Sequence, residues 1–71
     1  MPLTIVQPGR RVRFVSVEAG GDLQSRLAAM GLVPGVEIEV IQNFMQGPFL
    51  IEVKGSRIIL GRGMAQKIRV A

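Results

Sequence analysis

The chain has 71 residues, a formal charge of +4, a sequence pI of about 11.3, 48% hydrophobic residues, and no cysteine, histidine, tyrosine or tryptophan. A chain this short makes one domain that buries only about 60% of the surface its unfolded form exposes, so it holds one small core and has little room for a deep catalytic cleft. The missing cysteine and histidine exclude disulfides and the usual thiolate and imidazole sites of zinc, copper or iron–sulfur clusters, and no segment approaches the roughly 18 consecutive apolar residues of a membrane span.

At the amino end, Gln7, Pro8, Gly9 and Arg10 break the first apolar stretch, so no secretory leader is expected. Residues 11–17 alternate, with Val12 and Phe14 on one face of a strand, and Gly20 and Gly21 lead out of it. Leu23, Leu27 and Met30 fall at i, i+4 and i+7, which predicts a short helix with these three on its buried side and Asp22 capping its first turn. Gly31 can take the left-handed conformation that ends a helix, with Leu32 folding back as its apolar contact. Pro34-Gly35 then has the residue types of a type II turn.

From Val36 to about Ile41 apolar and charged residues alternate again, predicting a second strand, and 43–48 reverse the chain. Phe49, Ile51 and Val53 face one way and Glu52 and Lys54 the other. Gly55-Ser56 is the expected two-residue hairpin turn, and Arg57 to Leu60 the returning strand. A short turn near Met64-Ala65-Gln66 precedes a closing strand over Ile68-Arg69-Val70. About five strands in so few residues, with no βαβ rhythm, favour a small closed barrel over an open sheet covered on both faces.

The run Arg26-Leu27-Ala28-Ala29-Met30-Gly31-Leu32-Val33-Pro34-Gly35-Val36-Glu37-Ile38 resembles the FeoA signature Arg-Leu-x-x-Met-Gly-Leu-x-x-Gly-x-x-Ile. Pro8-Gly9, Gly47-Pro48, Val53-x-Gly55, Leu60, Ala65, Ile68 and Val70 extend the resemblance to the FeoA family over nearly the whole chain. Gly61-Arg62-Gly63 departs from it, since related proteins carry more helix-favouring residues there. The resemblance implies a single domain over 1–71 with an SH3-like β-barrel of about five strands and one short inserted α-helix. It further implies a cytoplasmic, non-enzymatic accessory protein of bacterial ferrous iron uptake, peripheral to the membrane at most. Its partner would be the cytoplasmic GTP-binding region of the ferrous iron transporter membrane protein. Two alternatives stay open: a regulatory SH3-like domain of a metal-responsive repressor system, and a small nucleic-acid-binding barrel.

No chemistry is expected of the chain itself. Ser16, Ser25 and Ser56 have no histidine to activate them, and Gly61-Arg62-Gly63 lacks both the third glycine of a dinucleotide fingerprint and the lysine and hydroxyl of a P-loop, so neither a catalytic residue nor a cofactor is assigned. Glu37 and Glu39 point to one side of a strand, but two carboxylates with cations nearby make a weak site, and no metal ligand is assigned. Their expected role is cross-strand pairing with the other charges of the outer face. Arg10, Arg11 and Arg13 near the start and Arg57, Arg62, Lys67 and Arg69 near the end would merge into one basic patch if the first and last strands meet. With no tyrosine or tryptophan to stack on bases, nucleic acid is not the expected partner.

Two surfaces remain as partner-binding candidates. Gln24, Ser25, Ala28 and Ala29 form a small, uncharged outer helix face, suited either to plain solvent exposure or to close approach by a partner. Phe44 and Met45 sit in a loop, either capping the core or anchoring a partner.

Overall fold

Alternation of apolar and polar residues builds five antiparallel strands in a computed structural model that describes residues 1–44 and 47–71. The strands are β1 (Arg11–Val17), β2 (Glu37–Asn43), β3 (Phe49–Val53), β4 (Ser56–Leu60) and β5 (Ile68–Val70). Helix α1 (Gly21–Ala29) is inserted between β1 and β2, helix α2 (Arg62–Lys67) joins β4 to β5, and a 3-10 turn at Leu3–Ile5 precedes β1. The sheet order is β4-β3-β2-β1-β5. Phe49, Ile38, Ile51, Leu60, Ile68 and Leu3 are fully buried and fill the space the sheet encloses. The barrel is completed by α2, packed on the 3-10 turn with Ala65 buried beneath it, and not by a ladder between β4 and β5.

Helix α1 ends as its sequence dictates. Gly31 has φ +92°, the Leu32 N–H donates to the Leu27 carbonyl at 2.9 Å, and the Gly31 N–H donates to Ala28 at 3.0 Å, which together make a Schellman cap. Leu32 is buried as the accompanying apolar contact. Val33 to Val36 form the expected turn, closed by the Val36 N–H on the Val33 carbonyl at 3.1 Å with Gly35 at φ +91°. Leu27 is buried and Leu23 packs on the core, whereas Met30 is 42% exposed. The expectation that Met30 joins the core fails because residue 30 is the cap itself, with φ −88° and ψ 2°, so it no longer follows the helical face. Asp22 does not cap either: the N-cap is Gly20, and Asp22 lies inside the first turn, where its charge still complements the helix dipole.

Three boundaries also differ from the sequence pattern. β2 starts at Glu37 and runs to Asn43, with a shift of register between Val40 and Gln42. The hairpin turn is Lys54-Gly55, not Gly55-Ser56: Val53 pairs with Ser56, and φ is +51° at Lys54 and +81° at Gly55, as a type I′ turn requires. The expected turn near Met64 is the six-residue α2, for which Gly61 serves as N-cap and the Ala65 N–H donates to the Gly61 carbonyl at 2.9 Å. The N-cap itself is in extended conformation (φ −68°, ψ 148°), which carries the chain out of β4 before it coils.

Candidate partner-binding surface

Strand β1 buries Val12 and Phe14, then loses its alternation. Its register with β5 shifts between Phe14 and Ser16, so Val17, not Ser16, is the next buried residue. A bulge of this kind re-aims side chains, and here it leaves Val15 47% exposed on the strand's outer side. The backbone of Phe14 fixes the neighbouring turn, accepting from the Gly35 N–H at 2.8 Å and donating to the Val36 carbonyl at 2.9 Å. The bulge, the turn and α1 thereby enclose a groove of about 460 Å³.

One wall of the groove is Gln24, Ser25 and Ala28 of α1, and the other includes Val15, Ser16 and Val33. No lining residue is charged, although 20% of the chain is Asp, Glu, Lys or Arg. Arg13 stands nearby with its Nη1 donating to the Gly35 carbonyl at 3.2 Å, and the Gln24 amide donates back to the Ala19 carbonyl at 3.2 Å. With no carboxylate, amine or imidazole in it, the groove offers apolar contact, two hydroxyls and one amide. That set can recognise a partner, but it cannot move a proton or activate a nucleophile.

The structure places the expected partner residues in three groups. Gln24, Ser25 and Ala28 line the groove. Ala29 is exposed on α1 outside it. Phe44 is 60% exposed, so it does not cap the core. It follows the far end of β2, about 20 Å of strand from Glu37 at the α1 end, and takes no part in the groove. Met45 lies outside the described residues. Sequence reasoning missed Val15, Ser16 and Val33. The run Val15-Ser16-Val17 held the usable signal, because strict alternation from Val12 and Phe14 would have buried a serine in preference to a valine.

The outer sheet face carries a row of charges set by register. Arg11 pairs with Glu39, Glu39 with Glu52, and Glu52 with Arg57, so two opposed carboxylates are flanked by two guanidiniums. Arg11 reaches Glu37 at 3.6 Å and Glu39 at 3.4 Å, and Arg57 reaches Glu52 at 3.6 Å. At this exposure each pair contributes about 0.2–1 kcal/mol. Arg11 bridges Glu37 and Glu39, so one guanidinium offsets one of the two carboxylate charges on their shared side. Among the described residues no group of three or more His, Cys, Asp or Glu is arranged to hold a metal ion.

The basic residues do not form one patch. β1 and β5 are neighbours, but Arg57 lies on β4 at the opposite edge of the sheet, and Arg69 is paired with Glu18 at 3.2 Å. Arg62 donates to the Asn43 side-chain oxygen at 2.7 and 3.0 Å and lies 5.7 Å from the Phe49 ring centroid.

The FeoA domain family matches residues 1–71. The "Putative Fe(2+) transport protein A" of Methanocaldococcus jannaschii is 41% identical over 69 residues, covering 97% of this chain and 83% of the relative. Among solved structures, an iron uptake regulatory protein (FeoA) superposes with a TM-score of 0.90 at 34% identity, over 99% of this chain and 93% of that one. The FeoA of Stenotrophomonas maltophilia, solved with zinc and described as a prokaryotic SH3 domain protein, gives 0.84 at 25% identity over 100% and 89%. The SH3-like fold is thus shared over the whole chain with these structures, and the chain belongs to the FeoA family.

Proposed function

We propose that this chain is a cytosolic adaptor of ferrous iron uptake that docks on the cytoplasmic GTP-binding region of the ferrous iron transporter through the groove between α1 and β1. The family is one of ferrous iron transport accessory proteins, which supports the system. The observation that carries the surface is the uncharged lining of that groove in a chain of net charge +4. Small side chains at Ser25 and Ala28 let a partner's backbone or an apolar side chain approach α1 closely, while exposed Val15 and Val33 supply area to desolvate.

The mechanism is recognition. An adaptor biases a transporter's nucleotide-binding region only by binding one of its states more tightly than another, so the decisive quantity is the affinity difference between nucleotide states. Titration calorimetry of the 71-residue protein against the transporter's soluble cytoplasmic domain, with and without guanine nucleotide, tests both parts. Saturable binding is expected in at least one state. Ala28→Glu, which puts a carboxylate into the uncharged groove from an exposed helix position, is expected to abolish that binding while the circular dichroism spectrum stays unchanged. Full affinity in this variant excludes the groove as the docking surface.

A further inference from the structure

The two outer strands are treated differently. The outer side of β5 is covered: the Val70 N–H donates to the Met1 carbonyl at 2.8 Å, and Pro2 bridges Arg69. β4 has β3 on one side, and among the described residues no main-chain hydrogen bond reaches its other side. The hairpin turn fixes which groups are left over. Val53 and Ser56 close the two-residue turn as a hydrogen-bonded pair, so along the ladder Ser56, Ile58 and Leu60 direct their N–H and C=O groups into β3. Arg57 and Ile59 therefore direct theirs outward. Ile59 is also 71% exposed, more than any other large apolar side chain described.

We infer that the outer edge of β4 is a self-association surface, where a second copy of this chain adds its own β4 antiparallel about a two-fold axis at Ile58. In that register Arg57 faces Ile59 of the second copy and Ile59 faces its Arg57. All four outward groups of each edge are matched, giving four main-chain hydrogen bonds in all. Ile58, half-buried on the inner face, meets its own copy at the close, non-hydrogen-bonded position. Arg57, already drawn toward Glu52, covers the exposed Ile59 of the other copy with its aliphatic stem. Other registers lose something. Arg57 opposite Arg57 sets like charges against each other. Ile59 opposite Ile59 leaves Arg57 facing Gly61, whose carbonyl already accepts from Ala65. The assembly stops at two, because each copy's remaining edge at β5 is the one covered by Met1 and Pro2.

A contact of one short strand is small, so association is weak and has to be sought at high concentration. Sedimentation equilibrium between about 10 μM and about 1 mM, a range bracketing such dissociation constants, is expected to show the mass rising from 7.7 kDa toward twice that value. Amide exchange at Arg57 and Ile59 is expected to slow as the dimer fills. Ile59→Lys and Ile59→Pro are expected to remain monomeric throughout. The proline removes only an outward N–H, so the β3 ladder and the circular dichroism spectrum stay as in the parent. A parent that is monomeric at every concentration overturns the inference, as does a dimer that survives both substitutions or leaves the Arg57 and Ile59 amides unprotected. Protection of those amides on adding the transporter domain to a monomeric parent gives the edge to that partner and equally overturns self-association.

Discussion

Asn43 ties more of the molecule together than any other polar side chain described. Its amide nitrogen donates to the Thr4 carbonyl at 2.9 Å and to Val6 at 2.8 Å, and its oxygen accepts both terminal nitrogens of Arg62. One amide thus holds the 3-10 turn, the end of β2 and α2 together. Truncation in Asn43→Ala leaves two partly buried carbonyls and a guanidinium without that partner, and is expected to cost about 1–3 kcal/mol. Urea denaturation measures this as a lowered midpoint at an unchanged slope, and a midpoint within error of the parent refutes the assignment. Nothing in the sequence marked this residue, because its partners lie 39, 37 and 19 positions away. Gly31 and Gly35 were legible for the opposite reason: their role is set by their own φ, which L side chains rarely adopt, and their neighbours announce the helix end and the turn. Met30 lies between these cases. Its spacing pointed inward, but the cap that Gly31 enforces had already turned the chain.

At the scale of elements, strands with strict alternation were readable and their joints were not. Phe49, Ile51 and Val53 face inward as their period requires, yet the turn after them slipped by one residue because a glycine was given the first turn position when it occupies the second. The first position belongs to Lys54, held at φ +51° with a β-carbon that disfavours it. A type I′ turn prefers asparagine there, so Lys54→Asn is expected to stabilise the protein by about 0.5–1 kcal/mol, read as a raised urea midpoint. No gain would mean that the strain is already relieved by neighbouring contacts. The groove shows the same limit of legibility. The small face of α1 could be read from the helical wheel, because Gln24, Ser25 and Ala28 need only α1 to define them. Its opposite wall depends on a bulge: the run Val15-Ser16-Val17 hints at a break in alternation, but only the register against β5 shows that Val15 is the extra residue. α2 was hidden by Gly61 and Gly63, which lower helix propensity locally, while burial of Ala65 and packing on the 3-10 turn stabilise the helix from outside.

For the whole molecule, the sheet order decides how many partners one small domain can serve. The groove is formed by α1 and β1, and the free edge belongs to β4, with β2 and β3 between them. Substitutions with no shared neighbours act independently, so the two surfaces are expected to separate cleanly. Ala28→Glu should remove binding to the transporter domain and leave self-association as in the parent. Ile59→Lys should do the reverse for the groove's intrinsic affinity. A dimer carries two grooves directed by one continuous sheet, so it can gain from bivalent attachment where transporter domains are themselves clustered, as on a membrane or an immobilised surface. On a sparsely coated sensor surface Ile59→Lys and the parent should then bind alike. On a densely coated one the parent should dissociate at least several-fold more slowly at high protein concentration. Equal dissociation of both proteins from the dense surface would mean that the β4 edge and the groove do not operate together, even if each is used alone.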